Sequence, residues 1–273
     1  PLAFVDSLSF SISALIMQAK ARAAERGRHF GGNSARPVVS FRWSHRRPPI
    51  KRWLPGLAPG TKNRAMGAAM DLPGRLLKQH FGYSDFRPGQ GEVVDRLLSR
   101  RDVLSVMPTG AGKSICYQIP ALCMEGFTLV VSPLISLMKD QVEGLLQAGV
   151  SAAYLNSSLT ERQFTLALHN ARMGKYKLIY VAPERLETAS FLAFAREAPI
   201  SMVAVDEAHC VSQWGQDFRP SYLAIPRFTA ALPSRPVVAA FTATATPEVR
   251  EDIIRQLELR EPFLLVSGFD RPN

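Results

Sequence analysis

The chain has 273 residues, 47% of them apolar, enough for one large α/β domain or two small ones with a proper core. Its net charge of +10 invites a nucleic-acid reading, but residues 1–65 carry 12 of the 33 Lys and Arg against only Asp6 and Glu25, while residues 66–273 balance at 21 of each sign. The basic character therefore belongs to the leading segment, although a neutral domain can still hold a local basic groove.

No apolar run reaches the roughly 18 residues that span a bilayer. Cys116, Cys123 and Cys210 show neither C-x-x-C pairing nor clustered His partners, which argues against a zinc site or a disulfide framework. A soluble, intracellular protein with reduced thiols is expected.

In chain order, residues 11–28 could form a short basic helix with nothing obvious to cover its apolar side. The stretch from Gly31 to Gly60 strings Pro37, Pro48, Pro49, Pro55 and Pro59 among scattered Arg without periodicity, the composition of a disordered segment. Residues 1–69 thus read as a disordered basic tail: either a basic arm adding phosphate affinity, or an artefact of the translation start, since Met66 and Met70 lie just before the first ordered-looking helix.

From Asp71 the pattern changes. Helices are expected over 71–80 and 88–100, then a short strand from Val103 to Val106, a glycine loop and a helix from Lys113. Strand-like runs follow at 127–132, 152–155, 177–181, 201–205 and 236–241, most separated by segments of helical length. Pro133 and Pro247 stand where helical first turns are expected. Such alternation predicts an α/β fold, a mostly parallel sheet with helices on both faces, whose ligands bind at the carboxyl ends of the strands.

Chemistry-bearing motifs fall at those ends. Met107-Pro108-Thr109-Gly110-Ala111-Gly112-Lys113-Ser114 follows a strand and opens a helix, the context a phosphate loop requires. Gly110 and Gly112 allow the tight turn that aims backbone N–H groups at phosphate. Lys113 would bridge the β- and γ-phosphates and Ser114 would ligate Mg²⁺. Met107 stands where the strict pattern has Gly. Asp206-Glu207-Ala208-His209 leaves the apolar strand Val203-Ala204-Val205. There Asp206 would hold Mg²⁺ and Glu207 would polarise an attacking water. His209 is read as coupling nucleotide state to a second ligand, against the alternative of a structural hydrogen-bonder.

Three further stretches are more specific. The segment Phe81-Gly82-Tyr83-Ser84-Asp85-Phe86-Arg87-Pro88-Gly89-Gln90 resembles the motif with which RecQ helicases read adenine. The resemblance assigns Gln90 to the base edge and Tyr83 and Arg87 to its flanks, while at least one of Phe81, Tyr83 and Phe86 is expected to be core packing. The run from Cys210 to Tyr222 looks like the aromatic-rich loop of the same family: Trp214 and Phe218 offer stacking faces for unpaired bases, and Arg219 a phosphate or cation–π partner. The run from Phe241 to Thr246 resembles the motif linking hydrolysis to strand movement, its hydroxyls able to bond the His209 ring or a facing domain. Ser132–Gln141 and Val181–Leu186 match the family's strand-contacting motifs more weakly.

The resemblance covers roughly residues 70–273 and implies a RecA-like first motor domain of an ATP-dependent DNA helicase with ATP and Mg²⁺ as cofactors. It further implies single-stranded and duplex DNA as partners, 3′ to 5′ translocation, roles in recombination and repair, and a nucleoid or nuclear setting. The final Phe269-Asp270-Arg271-Pro272-Asn273 matches the family's entry into a second motor domain, which supplies a charge-stabilising arginine. A chain without that domain is expected to hydrolyse ATP slowly and not to unwind a duplex. Two other readings stay open: a non-catalytic ATP- and DNA-binding fragment, and an RNA helicase of the DEAD/DEAH group.

Overall fold

The computed structural model describes residues 71–215 and 217–267. The expectations for residues 1–69 and for Phe269 to Asn273 lie outside them, as does Gln216 within the aromatic run.

Seven strands build one sheet: β1 (Val103–Val106), β2 (Phe127–Val131), β3 (Ala152–Leu155), β4 (Leu178–Val181), β5 (Ile200–Val205), β6 (Val237–Thr242) and β7 (Phe263–Val266). Their order is β3-β4-β2-β5-β6-β1-β7, and every pairing is parallel. α1 (Leu72–Leu76) and α2 (Gln90–Leu98) precede β1; parallel neighbours then need crossovers, which carry α3 (Lys113–Cys123), α4 (Ile135–Gln147), α5 (Glu161–Arg172), α6 (Ala189–Glu197), α7 (Ala224–Ala230) and α8 (Pro247–Gln256). A π-helical turn over Leu77–Phe81 continues α1 and ends at Gly82, whose φ of 76° closes it.

β1, β2, β4, β5 and β6 are buried along their whole length, as strands covered on both faces must be. Alternation divides them: Leu129, Val131, Val203 and Val205 enter one core, and Val130, Met202 and Ala204 the other. The amino ends of β1 and β6 are tied by Asp102, 3% exposed, whose carboxylate pairs with Arg235 at 2.6 Å and accepts the N–H groups of Val238 and Arg260. That arrangement gives a buried charge the partners it needs.

The expected α/β fold, a RecA-like parallel sheet covered by helices, is therefore the one observed, with two differences of detail. α4 begins at Ile135 after the extended cap residue Leu134, so Pro133 lies before the helix and not in its first turn; Pro247 does open α8. Unanticipated is β7, an edge strand whose residues alternate between half-buried and exposed. It pairs with β1 in register Val103↔Phe263 and sets Leu265 against Gly89. Gly89 has φ 82°, and a Cβ there would lie 2.9 Å from the Leu265 Cδ2.

Candidate functional site

The phosphate loop, the acidic motif and the Thr242 motif leave the carboxyl ends of β1, β5 and β6, and the sheet order explains how they meet. β6 lies between β5 and β1, so its last residue, Thr242, stands between the two halves of the site. The Thr242 carbonyl accepts the Met107 N–H at 3.0 Å, and its hydroxyl lies 2.9 Å from His209 Nδ1. The bond expected between that strand end and the His209 ring is present.

A cleft of about 360 Å³ opens between these motifs and the segment ahead of α2. It brings together Tyr83, Arg87, Gln90, Thr109, Gly110, Gly112, Lys113, Ser114, Asp206 and Glu207. Gly110 and Gly112 have φ of 83° and 85°, which L side chains rarely adopt. A Cβ at Gly112 would also collide with the Gln90 amide. Lys113 opens α3 and folds its ammonium back onto the Met107 carbonyl at 3.1 Å, which places it over the loop.

Opposite, Asp206 is anchored by its own N–H on Val131 O (2.9 Å) and by Tyr222, whose hydroxyl donates to the Asp206 carbonyl at 2.9 Å. Burial first, and the neighbouring Glu207 charge second, push its carboxyl up to about 6, while the Glu207 N–H on Oδ1 and Lys113 pull it down. A carboxylate so reluctant to stay charged is suited to a cation. Glu207 sits in the left-handed region at φ 48°, strain that persists only where the surroundings enforce it. Its Oε2 lies 3.3 Å from His209 Nδ1. Loop conformation, cationic lysine and paired carboxylates fit a nucleoside triphosphate with a divalent metal.

The segment from Phe81 to Gln90 divides as its aromatics allow. Phe81 and Phe86 pack against the core, whereas Tyr83 is half exposed at the cleft. Gln90 is more committed than the sequence implies. Its Nε2 donates to the Ala111 and Gly112 carbonyls at 3.1 and 3.0 Å, and its Oε1 accepts the Arg87 N–H at 2.9 Å. One guanidinium nitrogen of Arg87 donates to the Gly110 carbonyl at 2.6 Å. Three successive carbonyls of the phosphate loop are thus held by this segment. Donation to a base would require Gln90 to release one of them, whereas its carbonyl keeps a free lone pair.

Beyond Glu207, the loop carries Trp214 75% exposed and Phe218 half-buried. Trp214, His209, Thr244 and Thr246 share a smaller cleft of about 210 Å³. Arg219 is not the free cation the sequence invites: Nε and Nη2 hold Asp217 at 3.1 and 2.8 Å, and Nη1 holds the Pro133 carbonyl at 3.2 Å. It tethers the aromatic loop to the turn after β2. That turn belongs to the weak motif at Ser132–Gln141, and Val181–Leu186 yields only the single 3₁₀ turn Pro183–Arg185. Missed by sequence reasoning is Cys210, whose buried thiol is pushed up to about 12 by burial and by Asp217.

With the geometry established, the comparisons define the class. Residues 87–253 match the DEAD/DEAH box helicase family, and the chain belongs to it. Members of that family use ATP with a divalent metal, generally Mg²⁺. Within it, the chain is 50% identical to the ATP-dependent DNA helicase RecQ of Bacillus subtilis over 200 residues, covering 72% of this chain and 34% of that protein. It is 45% identical to the ATP-dependent DNA helicase Q1 of Rattus norvegicus, covering 72% of this chain and 33% of the relative. The chain therefore spans about a third of the length of these relatives.

Among solved structures, a hypothetical ATP-dependent RNA helicase from Sulfolobus tokodaii superposes with a TM-score of 0.57 at 19% identity, over 72% of this chain and 57% of that one. The DUF1998 helicase MrfA bound to DNA gives 0.58 at 16% identity, over 75% of this chain and 30% of the other. These two show the fold. No helix among the described residues is long and apolar enough to cross a membrane.

Proposed function

We propose that residues 70–273 are the ATP-binding first motor domain of a RecQ-type DNA helicase, translocating 3′ to 5′ on single-stranded DNA and opening duplexes in recombination and repair, at the nucleoid or in the nucleus. The observation that carries this reading is one continuous chain of contacts. It runs from the phosphate loop through Thr242 and His209 to Glu207 and the loop that exposes Trp214. A nucleotide site and a base-stacking face are joined by two hydrogen-bonded side chains.

In this reading the backbone of Thr109 to Gly112 and the Lys113 ammonium hold the triphosphate, while Ser114 and Asp206 hold the metal. Bound Mg²⁺·ATP supplies the scissile phosphoanhydride bond and the cation that polarises it. Glu207 orients the attacking water and takes up its proton. Tyr83 and Arg87 flank the adenine, and Gln90 reads its edge by exchanging one loop carbonyl for the base. Trp214 and Phe218 stack on unpaired bases, with Arg219 fixing their loop. Among the described residues, Arg87 is the only arginine lining the cleft, and it is bonded to Gly110. The arginine that stabilises charge in transit must come from elsewhere, and without it turnover is slow and duplexes stay closed.

ATP turnover measured with single-stranded DNA, with RNA of the same sequence and with no nucleic acid tests the reading. Stimulation by DNA above both other conditions is expected. Equal or greater stimulation by RNA would instead favour an RNA helicase of the same group.

A further inference from the structure

Spacing along the chain argues against a zinc site, but folding brings three metal-ligating groups together outside the nucleotide cleft. Cys210 Sγ lies 3.8 Å from His209 Nε2 and 3.8 Å from Asp217 Oδ2. The three ligand atoms all fall within 4.8 Å of one another.

The imidazole is already set for the task. Near His209 Nδ1 stand the Glu207 carboxylate at 3.3 Å, which can only accept, and the Thr242 hydroxyl at 2.9 Å. The Thr242 hydroxyl donates to the Thr244 carbonyl at 3.2 Å, so it too accepts from the ring. The proton therefore sits on Nδ1, and the Nε2 lone pair faces Cys210. A ligating His held through its other nitrogen in this way is the usual arrangement in metal sites.

The distances suit a tetrahedral ion. Zn–S near 2.3 Å with Zn–N and Zn–O near 2.0–2.2 Å places adjacent ligand atoms about 3.4 to 3.6 Å apart. The two 3.8 Å separations from Cys210 need a closure of a few tenths of an ångström, and the His209–Asp217 pair, within 4.8 Å, closes as the exposed Asp217 side chain swings in. Arg219 Nε and Nη2 both donate to Asp217 Oδ2, at 3.1 and 2.8 Å, so ligation through that oxygen asks the guanidinium to move at least one bond to Oδ1, where it remains the outer partner of the carboxylate. Cys210 is fully buried, whereas the His209 and Asp217 side chains are 20% and 53% exposed, so an ion has a route in.

We propose that His209 Nε2, the Cys210 thiolate and the Asp217 carboxylate form a binding site for a zinc-class divalent ion. The ion fastens the aromatic loop to the acidic motif. Its thiolate and imidazole donors distinguish it from the Mg²⁺ expected beside Asp206, which takes oxygen ligands. A bound ion holds Asp217 to His209 and so fixes the loop segment that carries Trp214, a restraint separate from nucleotide occupancy.

Co²⁺, titrated into the purified chain without nucleotide, is the probe. One equivalent is expected to give a thiolate-to-cobalt charge-transfer band that Zn²⁺ then abolishes. Cys210→Ser removes the band, Cys123→Ser keeps it, and Asp217→Asn, at an exposed position that spares the core, weakens binding tenfold or more. Absence of the band in the wild type, its persistence in Cys210→Ser, or unchanged affinity in Asp217→Asn overturns the proposal. Because the readout is ligation and not turnover, failure here leaves the helicase reading intact, and failure of that reading leaves this site intact.

Discussion

Replacing Glu207 with Gln is expected to lower ATP turnover by about 10² to 10⁴, the range that a positioned general base contributes, while ATP binding is retained. Size and hydrogen-bonding reach are preserved, and the left-handed backbone at φ 48° is no harder for Gln than for Glu. What is lost is the basic carboxylate that takes up a proton beside the cleft and its negative charge 3.3 Å from His209 Nδ1; the amide oxygen of Gln can still accept from that nitrogen. Asp206, held by Val131 and Tyr222 on the other side, keeps its place for a metal. Turnover and equilibrium ATP binding measured on the same preparation separate the two roles. A fall in turnover of less than tenfold would remove Glu207 from the chemistry and leave it a structural neighbour of His209.

The second large effect is expected at Trp214. The ring is 75% exposed and its backbone N–H bonds the Ser212 hydroxyl at 3.2 Å, so Trp214→Ala costs little in folding. Stacking of one base on an aromatic ring is worth about 1–3 kcal/mol, which corresponds to roughly 5- to 150-fold in affinity. The concentration of single-stranded DNA that half-stimulates ATP turnover should rise by that factor, with ATP affinity in the absence of DNA as the control. An unchanged DNA dependence would mean that the exposed ring serves some other surface.

The placement of Glu207 at a strand end is legible in the sequence for a local reason, whereas Trp214 is singled out by the resemblance of its loop. The phosphate loop and the acidic motif each follow a short strand of mostly apolar residues, Val103–Val106 or Val203–Val205, the mark of a buried parallel sheet. Fold class and the nucleotide-facing residues follow from such runs. What sequence missed depends on contacts distant along the chain. β7 escaped because a four-residue apolar run such as Phe263–Val266 reads equally as strand or buried helix until its edge pairing with β1 is known.

Gln90 looked free because nothing in the segment Phe81–Gln90 reveals that carbonyls about 20 residues further on close over its amide. Arg219 is held both by Asp217, two residues before it, and by the Pro133 carbonyl, 86 residues away; only the second contact is beyond the reach of the local sequence. The His209, Cys210 and Asp217 cluster depends on how the intervening loop folds back, which no ligand-spacing pattern encodes.

Calorimetric titration of the chain with ATP and with GTP in Mg²⁺ decides whether the cleft between the Gln90 segment, the phosphate loop and the acidic motif is an adenine-nucleotide site. Adenine presents a donor to the Gln90 carbonyl where guanine presents an acceptor. An unpaired buried polar group costs about 1–3 kcal/mol. A single saturable site is expected, at which ATP binds about tenfold or more tightly than GTP. Equal binding of the two nucleotides, or of neither, would contradict it.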